Sequence, residues 1–236
     1  MRSSSYLDTL DVYVFKDFNG ISIEVLMDRF SKLPSSWSGN VKRLRYEKDQ
    51  KTAIIARLLL AYALINSDYK ISIDSLPDYS FGEFRKPKFD KESLSFNYSH
   101  CKAASICAIS KKNVGADIEG LDIDIETLSL AVKSVATSEE WEALNDENGS
   151  KVDFLRLWTA KEAYGKWLGV GLRYDYKNKS FRDVLKKDCN KNLRIIKLKD
   201  EKKLYSVYNK GIVFSIYGEG SLNIEELSWD ELIKKI

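Results

Sequence analysis

The segment Val114-Gly115-Ala116-Asp117-Ile118-Glu119 alternates between small or apolar side chains and acidic ones. Successive side chains of a β-strand point to opposite faces, so this alternation predicts a short strand with both carboxylates on one face. An apolar run over residues 103–109 leads into the segment through a turn at 111–113. We therefore expect Asp117 and Glu119 to lie side by side on a strand that follows this turn.

A second group of charges lies in Trp158-Thr159-Ala160-Lys161-Glu162-Ala163-Tyr164-Gly165-Lys166. The spacing of the apolar residues around it predicts an amphipathic helix. Glu162 and Lys166 are four residues apart, which places them on the same side of that helix. The sequence thus presents a third carboxylate together with two ammonium groups, those of Lys161 and Lys166.

Three converging carboxylates repel one another unless a cation lies among them, and oxygen-only ligands favour a hard divalent ion. We expect Asp117, Glu119 and Glu162 to bind Mg²⁺, with Mn²⁺ as a substitute. Mg²⁺ shares its coordination shell with waters and phosphates, so the nearby lysines favour a phosphorylated ligand. The alternative is ordinary surface chemistry, because acidic strand faces and Glu–Lys helix pairs are commonly solvated.

Composition narrows the function classes. The chain has 236 residues, 44% of them hydrophobic, and a net charge of +3. It can form one large domain or two small ones. It has no apolar segment that could span a bilayer and no Gly-rich phosphate loop, so we expect neither a membrane nor a nucleic-acid partner. His100 is its only histidine, which excludes zinc sites that need a histidine pair. Three cysteines without metal-ligand spacing favour a reducing cytoplasm.

The remaining pattern predicts an α+β fold. A helix is expected over 48–65, and Thr137 with Glu140 is typical of a capping box that starts another helix. Residues 20–25 fit either a strand or the start of a helix, 77–91 an irregular binding loop, and 224–236 a terminal helix. We expect strands over 10–15, 93–98, 103–109, 193–198, 204–208 and 212–217. Both halves mix a helix with strands, and the boundary is placed between 1–112 and 113–236.

Gly115-Ala116-Asp117-Ile118-Glu119 followed by the Trp158–Lys166 helix resembles the paired signature of the 4′-phosphopantetheinyl transferases. Phe96-Asn97-Tyr98-Ser99-His100 resembles that family's Asn-x-Ser-His element, and Arg85-Lys86-Pro87 its Gly-Lys-Pro element. These elements keep the family order across residues 85–166. The length is similar to that of the larger, Sfp-type members. The resemblance implies two similar α/β halves that form a pseudo-dimer, with the active site in the cleft between them and a monomeric state.

The resemblance also implies an activity. Such enzymes transfer the 4′-phosphopantetheine arm of coenzyme A to a serine of an acyl or peptidyl carrier protein and release adenosine 3′,5′-bisphosphate. Asp117, Glu119 and Glu162 would hold Mg²⁺. Glu162 or Glu119, directly or through a metal-bound water, would take the serine proton.

The basic residues are given ligand contacts by the same resemblance. Lys166 would contact the transferring phosphate, and Lys161 would help to position it. Ser99 and His100 would touch the coenzyme A phosphates, and Lys86 and Pro87 would border the adenine. The ribose 3′-phosphate would be held by a residue of the basic cluster Lys42, Arg45 and Lys51, with Arg45 preferred.

Two departures from the family pattern concern the nucleotide pocket. Cys101 stands where many relatives have serine, and Arg85 replaces a glycine. Two other functions fit the same residues. One is a Mg²⁺-dependent phosphodiesterase that acts on coenzyme A-like nucleotides, and the other is a non-catalytic module that binds coenzyme A or a carrier. The complete set of carboxylates beside Lys166 argues against the binding module.

Overall fold

A computed structural model describes residues 9–16, 18, 20–39, 41–66, 71–84, 86–91, 93–146, 149–170, 174–186 and 192–236, with 42 and 146 described by their backbone alone. Ten strands and six α-helices lie in these ranges. The strands are β1 Thr9–Phe15, β2 Tyr79–Phe81, β3 Pro87–Phe89, β4 Ser95–His100, β5 Ser105–Ser110, β6 Gly115–Gly120, β7 Leu193–Lys197, β8 Lys202–Asn209, β9 Ile212–Glu219 and β10 Ser221–Leu227. The helices are α1 Ile23–Phe30, α2 Glu47–Asn66, α3 Ile125–Val135, α4 Ser138–Asp146, α5 Lys151–Leu168 and α6 Trp229–Ile233. The predicted α+β class is confirmed.

Two four-stranded sheets form the centre of the molecule. The first has the order β10-β1-β5-β4 and the second β6-β9-β8-β7. Alternate residues of each strand fill the space between the sheets, including Val12, Ile106 and Phe214. The opposite residues of the first sheet pack on α2, and those of the second pack on α5. Each sheet therefore has one long helix on its outer face and the other sheet on its inner face.

The two ends of the described chain meet in the first sheet. β10 pairs in parallel with β1, with Val12 opposite Ile224. Residues 224–227 are thus a strand, and the predicted helix over 224–236 is wrong in that part; α6 begins only at Trp229. The boundary at residue 112 stays a prediction, and the C-terminal strand returns across it.

Two other segments differ from the local pattern. Residues 79–89 hold a small antiparallel hairpin, β2 and β3, where an irregular loop was expected. Of the two structures considered for residues 20–25, the helix is present, since Ser22 caps α1. The capping box at Thr137 is confirmed, with reciprocal bonds between Thr137 and Glu140. No helix in the described ranges is both long and apolar enough to cross a membrane.

Candidate active site

Close packing between β6 and α5 brings the two charged motifs together. Gly115 makes this approach possible, because a Cβ atom at that position would lie 2.0 Å from the carbonyl oxygen of Ala163 and 2.5 Å from the amide nitrogen of Trp167. Both are backbone atoms of α5, so any side chain would push the helix away from the strand. The glycine of the strand motif is therefore a packing requirement, and it sets Asp117 beside the helix.

Asp117, Lys166 and Ser99 form a compact polar triangle. Lys166 Nζ lies 2.5 Å from Asp117 Oδ1 and donates to Ser99 Oγ at 2.9 Å. Ser99 Oγ in turn donates to the same carboxylate oxygen at 2.9 Å. Asp117 is 5% exposed, so this pairing supplies the charge compensation that a buried carboxylate needs. The triangle joins three elements, β4, β6 and α5.

Glu119 and Glu162 flank Asp117 and share its electrostatic environment. Burial and the charge of Asp117 raise the pKa of both carboxyl groups to about 7, against the opposing effect of Lys166. A hydrogen bond from the Trp158 side chain also lowers the pKa of Glu119. Trp158 therefore contributes to the site, because its indole N–H, the donor of that side chain, holds Glu119.

The carboxylates retain capacity for a cation. Among the described residues no donor contacts Asp117 Oδ2 or Glu162 Oε1, although both atoms are buried. An orphaned carboxylate oxygen is costly, and two of them near a third acid with a raised pKa indicate excess negative charge. Within the same ranges no group of three His, Cys, Asp or Glu side chains that could hold a metal ion is found, so the metal site stays a prediction. Lys166 instead compensates Asp117. The donor chemistry therefore fits a hard cation.

A cleft of about 270 Å³ opens beside this cluster. Its lining includes Glu119 and Asp122 in and just after β6, Asp49 and Thr52 from α2, and His100, Cys101 and Lys102 at the end of β4 and just beyond it. His100 is solvent-accessible at this cleft. Its enclosed position and the charges of Lys166 and Arg57 lower its pKa, so at neutral pH its imidazole is uncharged. Its ring can therefore either donate or accept a hydrogen bond.

Lys161 lies elsewhere, and its part in positioning a phosphate stays a prediction. Its ammonium group is fully buried and lies 2.7 Å from Glu140 Oε2. It also donates to the carbonyl oxygens of Tyr176 and Lys179 at 3.0 and 2.6 Å. With these partners the side chain fastens α5 to α4 and to the segment after residue 174. It is not among the residues that line the cleft.

Three other predicted contacts lie outside the triangle. The Lys86 ammonium donates to Asn113 Oδ1 at 2.5 Å and to the carbonyl oxygens of Val114 and Trp167 at 3.1 and 3.0 Å. Burial lowers its pKa to about 8. Pro87 is buried in β3. Arg45 is exposed beside the ring of Tyr46. Their contacts with a nucleotide stay predictions, and Arg85 lies outside the described residues.

Comparison with known proteins finds sequences similar to these motifs. The sequence model of the 4′-phosphopantetheinyl transferase superfamily matches residues 113–216. That range contains all three carboxylates and Lys166.

Curated relatives match parts of the chain. An L-aminoadipate-semialdehyde dehydrogenase-phosphopantetheinyl transferase of Candida glabrata is 32% identical over 155 residues, which are 61% of this chain and 58% of that protein. A 4′-phosphopantetheinyl transferase of Aneurinibacillus migulanus is 34% identical over 122 residues, 49% of each chain. One from Nostoc sp. is 35% identical over 88 residues, 36% of this chain and 37% of that protein. The match thus spans about half the length of the first two relatives.

Proposed function

We propose that this chain, which matches the model of the 4′-phosphopantetheinyl transferase superfamily over residues 113–216, transfers the 4′-phosphopantetheine arm of coenzyme A to a serine of an acyl or peptidyl carrier protein. The second product is adenosine 3′,5′-bisphosphate. We further propose an Sfp-type monomer that works in the cytoplasm. The observation that carries this function is the grouping of Asp117, Glu119, Glu162 and Lys166 next to an open cleft.

Asp117, Glu119 and Glu162 would hold Mg²⁺, the Lys166 ammonium shifting toward the substrate. When bound, Mg²⁺ would neutralise the pyrophosphate and so favour cleavage of its P–O bond. The two orphaned oxygens and the two raised pKa values support this ligand set. We expect Mn²⁺ to substitute, because it accepts the same oxygen donors.

The protein's own side chains would perform the remaining tasks. Lys166 would contact the transferring phosphate, and His100, which lines the cleft, would contact the neighbouring phosphate. In-line attack by the carrier serine breaks the bond to the nucleotide phosphate, and the serine proton passes to Glu162 or Glu119. The proton would pass to the carboxylate directly or through a metal-bound water. Lys86, Pro87 and Arg45 are proposed to border the nucleotide.

The test is to incubate the protein with coenzyme A, Mg²⁺ and an apo carrier protein and to measure the intact mass of the carrier. The expected result is a gain of one phosphopantetheine arm, lost in Asp117→Ala and Glu162→Ala and kept in Glu126→Ala, a control in the first turn of α3. Hydrolysis of coenzyme A without a carrier would favour the phosphodiesterase. Coenzyme A binding with no product from fatty-acid, polyketide and peptide-synthetase carriers would favour the binding module.

A further inference from the structure

The two sheets meet along β4 and β6, and side chains connect these strands. Three residues that alternate along β4 contact β6 or Val114 just before it: Ser95, Asn97 and Ser99. Ser95 Oγ accepts a hydrogen bond from the amide of Val114 at 3.2 Å, and Asn97 Oδ1 accepts one from the amide of Ala116 at 3.0 Å. Ser99 Oγ donates to Asp117 Oδ1 at 2.9 Å. We call these three contacts the β4–β6 ladder.

The ladder replaces backbone pairing. β4 and β6 are edge strands of different sheets. The backbone N–H groups on the outer side of β6 therefore have no carbonyl acceptor on a neighbouring strand of their sheet. Buried amides need partners, and here β4 side chains supply them at two positions. Asn97 is 4% exposed, and its accepting oxygen therefore works in a water-poor environment. Removing that oxygen would leave the Ala116 amide without its acceptor.

Asn97 contacts the residue that precedes Asp117. The amide that it holds belongs to Ala116, whose carbonyl carbon is bonded to Asp117. On the other side of Ala116 is Gly115, whose backbone packs directly against α5. Asn97 is thus the side chain that fastens the backbone immediately before Asp117, while Ser99 and Lys166 fasten its carboxylate.

We propose, on the basis of the proposed function, that Asn97 is a positioning residue for phosphopantetheine transfer. By accepting a hydrogen bond from the Ala116 amide, Asn97 fixes the backbone of β6 in the position where the Asp117 carboxylate contacts Ser99 and Lys166. Asn97 has no contact with substrate in this role. A loss of its oxygen should consequently reduce the rate of the chemical step more than the affinity for coenzyme A.

The experiment compares three variants of the full chain. Asn97→Ala removes the accepting oxygen, and Asn97→Asp keeps an oxygen in the same place. Ser95→Ala removes the ladder contact farthest from Asp117 and serves as the matched control. Each variant is assayed for kcat and KM with coenzyme A and apo acyl carrier protein, and amide hydrogen exchange is measured at Val114 and Ala116.

We expect Asn97→Ala to reduce kcat about tenfold or more while KM for coenzyme A changes by less than about threefold. Exchange at Ala116 should accelerate, and Asn97→Asp should restore both properties toward the parent. Ser95→Ala should accelerate exchange at Val114 with kcat within about twofold of the parent.

The inference is overturned if folded Asn97→Ala retains the parent kcat, or if Ser95→Ala lowers kcat equally. If Asn97→Ala does not fold, Asn97→Asp becomes the deciding variant. A kcat of Asn97→Asp as low as that of Asp117→Ala would also reject the positioning role. A parent protein that transfers nothing rejects the proposed function instead. The two failures are therefore distinguishable.

Discussion

Replacement of Gly115 by alanine tests whether α5 must lie directly on β6. The new Cβ would meet Ala163 O at 2.0 Å and Trp167 N at 2.5 Å, and neither atom can move without the helix. Relief to an ordinary contact requires α5 to shift by about 1 Å or more. Overpacking of this kind costs about 1–3 kcal/mol in the free energy of unfolding. Because Lys166 moves with the helix, a displacement of that size reduces the transfer rate by about a hundredfold.

Two measurements check this prediction. Urea unfolding of Gly115→Ala gives the stability change, and intact-mass measurement of the carrier over time gives the rate. Gly82→Ala is the matched control, since its Cβ would meet nothing closer than Lys86 O at 3.6 Å. Should Gly115→Ala unfold within about 0.5 kcal/mol of the parent and transfer at the parental rate, the packing explanation of this glycine is refuted.

Three further predictions follow from buried charges. Lys161→Met should lower the free energy of unfolding by about 3–5 kcal/mol because it leaves Glu140 unpaired, and adding Glu140→Gln should recover much of that loss; urea unfolding measures both, and an unchanged midpoint in the single variant would contradict the pairing. The raised pKa values of Glu119 and Glu162 mean that the folded protein binds protons more tightly than the unfolded chain, so without Mg²⁺ stability should fall as pH rises from about 4.5 to about 7. Urea midpoints across that range should show the fall, Mg²⁺ should reduce it, and a rise would contradict it. Trp158→Phe keeps the ring but removes the hydrogen bond to Glu119, so the pKa of that carboxyl should rise and the acid limb of the pH–rate profile should move to higher pH; an unmoved limb would reject that contact.

Local pattern predicted the elements of the site but not all of its contacts. The alternation around Asp117 and the helical spacing of Glu162 and Lys166 were sufficient, because residues four apart on a helix lie on one side. The same rule places Lys161 on a different side of the helix. It precedes Lys166 by five residues, which is about 140° around the helix, so the two ammonium groups point in different directions.

Contacts between segments that are far apart in the chain could not be predicted from the local sequence pattern. The apolar residues of 224–227 fit a helix as well as a strand, and only pairing with β1, more than two hundred residues earlier, makes them a strand. The hydrogen bond from Trp158 to Glu119 likewise depends on how α5 lies across β6. Asn97 could have been noticed, since it alternates with Ser95 and Ser99 on the face of β4 opposite the buried Phe96.

The return of β10 to the first sheet has a consequence for biosynthesis. β1 can gain its parallel neighbour only after residues 221–227 have left the ribosome, and Leu227, Leu232 and Ile236 complete the core beneath α2. Until then β1 offers an unprotected edge to other chains. Completion of the first sheet therefore waits for the synthesis of residues 221–227, and a fragment that stops at residue 112 should aggregate.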